Sequence, residues 1–186
     1  MANQRKKVVE TKLKKFYTTM SQAVIMSEIE NGPSSEWSLN HSSYSNSIDF
    51  YNIYLDKYLS KITTKKITEN RQDSTIYLSD GTAFKLGNGA CADITFYINS
   101  NLINKLMTEQ TPGKDYFSFK ICPKNTVYNG GKAGGFQTSS KGNLNQRMDR
   151  NYLLEHCKNP FEDADTCSAL IEYDGWEIKK DYPYRF

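Results

Sequence analysis

Four cysteines, two histidines and one acidic cluster are the side chains of this sequence whose types suit chemistry. His156 precedes Cys157, but a nucleophilic Cys–His pair needs the imidazole within hydrogen-bond reach of the sulfur, and chain neighbours do not meet in a useful geometry. His41 sits in a Ser/Asn-rich stretch. No Cys-x-x-Cys spacing occurs, so a structural zinc site is not expected. Glu162, Asp163 and Asp165 lie between Cys157 and Cys167, and oxygen ligands at such spacing suit calcium. The EF-hand pattern and its turn glycine are absent, so the favoured reading is a solvated acidic loop and no cofactor. Gly130-Gly131-Lys132-Ala133-Gly134-Gly135 superficially suggests a phosphate cradle, yet it lacks the P-loop spacing and the Ser/Thr that follows it. No acid/base pair emerges, and the expectation is a protein that is not an enzyme.

The cysteines themselves carry more. Cys91, Cys122, Cys157 and Cys167 form an even set that suits two disulfides. Residues 91–98 and 116–122 read as strands. With Cys91 opposite Cys122 in an antiparallel pair, Asp93 faces Lys120 and Thr95 faces Ser118, while Ile94 meets Phe119 and Phe96 meets Phe117 on the other face. Opposite charges and aromatic pairs stabilise a sheet by about 0.2–1 kcal/mol each, and a one-residue slip would scramble both faces. The expectation is a Cys91–Cys122 disulfide, with two unpaired buried thiols as the alternative. Cys157 and Cys167, ten apart with Pro160 between them, would staple a loop poor in apolar residues, contributing about 2–3 kcal/mol in the chain-entropy model. Disulfides belong to oxidising compartments, yet no secretory signal is present. No apolar run approaches the roughly 18 residues that span a bilayer. A targeting segment upstream of Met1-Ala2 would resolve that conflict.

These groups must be positioned by a fold of 186 residues, long enough for one domain with a real core. Hydrophobic residues are 38% and charged residues 24%, a globular balance rather than a disordered one. Thirteen tyrosines suit half-wet surfaces and interfaces. The net charge of +3 is too small to imply nucleic acid, and the basic residues cluster at the front of the first helix. That helix is expected over residues 3–31, because Val9, Leu13, Phe16, Met20, Val24 and Ser27 recur at steps of three and four, widened by Tyr17 and Ala23. Asn31-Gly32-Pro33 ends it. Lys6, Lys7, Lys12, Lys14 and Lys15 crowd its front, which starts without a cap, as though something upstream were missing.

A Ser/Asn-rich loop follows, containing the sequon Asn40-His41-Ser42, and then a second helix over 48–67 with Ile48, Tyr51, Leu55, Tyr58 and Ile62 on one face. From 74 the period becomes two. Residues 75–78 and 83–86 flank Asp80-Gly81 as a hairpin. The strands at 91–98 and 116–122 come next, then a mobile loop over 129–145, a short helix over 149–157 and a final strand over 167–173 turned by Asp174-Gly175. The fold class expected is α+β: the N-terminal helix lies through Val9, Leu13, Phe16, Met20 and Val24 across an antiparallel sheet of about four strands.

Residues 12–23 (KLKKFYTTMSQA), followed by Glu30-Asn31-Gly32, resemble bacterial prepilin-type proteins, the type IV pilins and type II secretion pseudopilins. The tail from Cys167 to Ile178, ending Asp181-Tyr182-Pro183-Tyr184, looks like C-termini in one branch of that family. The resemblance implies a helix whose first, hydrophobic half spans the inner membrane after a processed leader, and that half is absent here. It also implies a C-terminal loop stapled by a disulfide, where Cys157 and Cys167 stand. The implied function is structural: a major or minor subunit that polymerises with other pilin or pseudopilin subunits into a surface filament or secretion pseudopilus, meeting nucleic acid only if the filament takes up DNA. The alternative is an extracellular binding module in which surface tyrosines, Trp37 and the 129–145 loop recognise a glycan, a protein or DNA. A small secreted enzyme using His156 ranks behind both.

Overall fold

An apolar stripe along a helix must lie on another apolar surface, and the first helix does so. In the computed structural model, which describes residues 2–39, 47–59, 63–69, 73–123, 133–139, 149–159 and 166–186, helix α1 (Ala2–Asn31) is one element of 30 residues. At 1.5 Å per residue it is about 45 Å long. Val9, Leu13, Phe16, Met20 and Val24 are buried along one side, with Ala23 and Ser27 among them. Gly32 ends α1 with φ of 75°, the left-handed conformation that glycine adopts without a Cβ clash. A 3-10 turn (Ser34–Glu36) then returns Trp37 to the helix end, where its indole N–H donates to the Gly32 carbonyl at 2.9 Å.

The sheet is a meander of strands β1 (Thr63–Glu69), β2 (Asp73–Leu78), β3 (Ala83–Asn88), β4 (Ala92–Tyr97), β5 (Tyr116–Ile121) and β6 (Gln137–Thr138). Every neighbouring pair is antiparallel. Five strands are six or seven residues long and the sixth has two, so the expected count of about four is too low. Across β4 and β5, Asp93 faces Lys120, Ile94 faces Phe119, Thr95 faces Ser118 and Phe96 faces Phe117.

Both additional strands lie where the sequence predicts something else. The helix expected over 48–67 is two short helices, α2 (Ser47–Tyr54) and α3 (Asp56–Leu59), and β1 takes its end, residues 63–67. Thr63, Thr64, Ile67 and Thr68 are β-branched, which costs rotamer freedom in a helix and suits a pleated surface. Pairing with β2 supplies their backbone hydrogen bonds. β6 lies inside the stretch expected to be a mobile loop. Residues 133–139 are pinned: the Gly134 N–H donates to the Cys122 carbonyl at 2.7 Å, the Gly135 N–H to Ser34 Oγ at 2.7 Å, and Phe136 stacks on Phe119 at 5.1 Å. The remainder of 129–145 lies outside the described residues, as do Asn40, His41, Ile62, Glu162, Asp163 and Asp165.

The final strand expected over 167–173 is also corrected. It is a helix, α5 (Thr166–Tyr173), packed beside α4 (Arg150–Cys157). Residues 166–171 are all buried, and a short run buried all round carries no period that separates strand from helix. Asp149 caps α4 by accepting from the Asn151 N–H at 2.9 Å. α5 ends in a Schellman motif, with the Gly175 N–H on the Glu172 carbonyl and the Trp176 N–H on the Ile171 carbonyl.

Candidate interaction surfaces

Phe16 is the centre of the helix–sheet contact. Its ring stacks on Phe96 at 4.0 Å between centroids and meets Phe119 and Phe136 edge-on at 5.4 and 5.8 Å. Two of the front lysines tie the same helix to the far ends of the strands. Lys12 Nζ donates to the Ile98 carbonyl at 2.8 Å, and Lys15 Nζ to Asp80 Oδ2 at 2.8 Å. Burial pushes the Asp80 carboxyl up, but hydrogen bonds from Lys15 and Thr82 outweigh it and hold the group below the usual carboxylate range. The lysine-rich front is therefore not uniform: Lys12 and Lys15 serve the fold, whereas Arg5, Lys7 and Lys14 face outward.

The four cysteines form two disulfides, Cys91–Cys122 and Cys157–Cys167. The second joins the end of α4 to the start of α5 and leaves no thiol beside His156, whose ring lies against Tyr152 at 4.0 Å. Around it the C-terminal residues make a strap. Gly113, with φ of 77°, backs directly onto Cys167. The Tyr182 hydroxyl donates to the Gly113 carbonyl at 2.6 Å, and the Tyr184 hydroxyl to the Cys157 carbonyl at 3.1 Å. Burial raises the Tyr182 phenol well above its ordinary value. Arg150 grips the strap from α4 with bidentate bonds to Asp174 at 2.7 and 2.8 Å and to Asp181 at 2.8 and 2.9 Å. Those bonds hold the Asp181 carboxyl below its usual range.

The strap also reaches α1. The Ile178 N–H donates to Glu10 Oε1 at 2.8 Å, and Trp176 packs on Tyr17 at 4.6 Å. Burial and then the Glu172 carboxylate push the Tyr17 phenol up to about 12. Glu172 accepts in turn from the Thr138 hydroxyl. Nothing in the sequence marks Arg150, Asp174 or Asp181 as partners, because their pairing spans 24 and 31 positions in no regular pattern.

The opposite face of α1 is uncovered. Val8 is 50% exposed, Ile25 59%, Met26 54% and Ile29 81%. Trp37, by contrast, is only 4% exposed, stacked flat on Tyr54 at 4.3 Å. It is not the surface aromatic that a glycan-stacking site needs. Among the described residues, no group of three or more His, Cys, Asp or Glu is placed to hold a metal ion, and no helix is long and apolar enough to cross a membrane.

A family model described as a family of unknown function, DUF6613, matches residues 1–186. No curated protein and no solved structure matches the chain.

Proposed function

Because this chain belongs to DUF6613, a family of unknown function, we propose its role from its architecture: it is a structural subunit of a surface filament or secretion pseudopilus, of the pilin or pseudopilin kind. The observation that carries this reading is the double use of α1. One face lies across an antiparallel meander through Val9, Leu13, Phe16, Met20 and Val24, while the other keeps Ile25, Met26 and Ile29 in solvent. A helix with one apolar face for its own sheet and a second apolar set outside it is suited to packing among copies of itself. The groups that chemistry would use are committed to structure instead: all four cysteines to disulfides, and Arg150, Asp174 and Asp181 to the strap.

The two disulfides suit the periplasm or cell exterior. In this reading the subunit is held at the inner membrane before assembly, and its partners are other subunits of the same filament. The binding-module reading loses its main aromatic, since Trp37 is packed inside.

The test is fractionation of cells that make the protein, followed by detection with an antibody against this chain. Enrichment in the filaments sheared from the cell surface, or in the membrane and periplasm beside a secretion machine, supports the proposal. Recovery only from the cytosol with four titratable thiols overturns it.

A further inference from the structure

The first turns of α1 and the strap enclose an open cleft of about 660 Å³, lined by Lys6, Lys7, Glu10, Glu177, Lys179 and Lys180 around Ile178. Four ammonium groups meet two carboxylates there. Both carboxylates are already engaged: Glu10 accepts from the Ile178 N–H at 2.8 Å with Lys6 at 3.9 Å, and Glu177 accepts from Lys179 Nζ at 2.5 Å. Among the described residues neither Lys7 nor Lys180 has an ion-pair partner, and both side chains stand in solvent.

We propose that this lysine-lined cleft is a docking surface for an anionic phospholipid membrane. The choice of partner follows from how the charges are presented. The cations are lysines, point charges on flexible stems, without the planar fork that fixes a single carboxylate or phosphate. The cleft is open to water, where one exposed ion pair gains little, so one small soluble anion binds it weakly. A surface that offers many anionic headgroups at once engages Lys7 and Lys180 together, and basic residues close to such a surface add their contributions.

The experiment is vesicle co-sedimentation of the whole chain. It compares phosphatidylcholine vesicles containing about 30% phosphatidylglycerol with pure phosphatidylcholine, at low and high salt. The expected result is salt-sensitive partitioning onto the anionic vesicles alone. Lys7→Gln with Lys180→Gln weakens it about 30-fold, roughly fivefold per ammonium. The charge-matched pair Lys105→Gln with Lys114→Gln, on exposed residues that do not line the cleft, changes it less than about twofold, since charges away from the contact act only through screened attraction. Thermal unfolding of both doubles checks that each remains folded. Equal losses in the two doubles would mean that net charge alone binds, and would overturn the site. Displacement by inorganic phosphate at matched ionic strength would reassign it to a soluble anion, and tighter binding to duplex DNA than to vesicles would reassign it to nucleic acid.

Discussion

The ring of Phe16, midway along α1, lies nearly parallel to the ring of Phe96 on β4, 4.0 Å away and 16° from coplanar. Phe84, Phe96 and Phe119 of three different strands, with Phe136 just before β6, converge on this point. Among the described residues of α1, the other ring contacts are those of Tyr17 with Phe119, Phe136 and Trp176.

Truncating Phe16 should therefore cost the most of any change on the stripe. Phe16→Ala is expected to lower unfolding free energy by about 3–5 kcal/mol. Phe16→Leu retains most of the apolar volume and is expected to lose less. Urea denaturation of the two variants measures the difference.

Gly113 and Gly175 offer a matched comparison. Both have positive φ, 77° and 73°, so alanine at either carries the backbone penalty of about 1–2 kcal/mol. A Cβ at Gly113 would stand 2.5 Å from Cys167 Sγ, whereas one at Gly175 meets nothing within 4 Å. Gly113→Ala should be clearly the more destabilising. Equal melting temperatures for the two variants would show that the Gly113 loop moves away from the disulfide at no cost.

The two disulfides close loops of different length, with sequence separations of 31 and 10. In the chain-entropy model the longer loop contributes more, about 3–4 kcal/mol against about 2–3. The double variant Cys91→Ser with Cys122→Ser is thus expected to unfold at lower denaturant than Cys157→Ser with Cys167→Ser. Guanidinium titration of both under non-reducing conditions decides the order.

Stability should fall in alkali, and the sign follows from Tyr17. Its phenol titrates near 12 in the folded protein and near 10 when unfolded. Between those values the folded chain holds the extra proton, so the stabilisation is whole below pH 10 and is lost as pH rises toward about 12. Tyr182, pushed up by burial, acts in the same direction. Tyr17→Phe should flatten the decline measured by urea unfolding across that window. A decline of unchanged slope would assign it to other groups.

The parts of the fold legible in the sequence are those whose pattern is local. Val9, Leu13, Phe16, Met20 and Val24 repeat at the helical period, and that period alone puts them on one face. The β4–β5 register is legible because Asp93 and Lys120 have opposite charge while Ile94, Phe96, Phe117 and Phe119 fill the other face. Illegible parts are those decided by distant neighbours. Residues 166–171 of α5 are all buried and show no period. β1 takes its form from pairing with β2, and β6 from pairing with β5 beside the buried Phe136. On the candidate surfaces, residue types identified the cysteines, but the Arg150 grip and the lysine cleft are assembled from segments that share no sequence signal.

The bond from the Ile178 N–H to Glu10 joins residues separated by 168 positions. Chains are made in order, so α1 leaves the ribosome long before the strap that completes its packing. Until then Tyr17 lacks Trp176, and that flank of the helix stays uncovered. The strap is thus the clasp that can close on α1 only once the whole chain has been made.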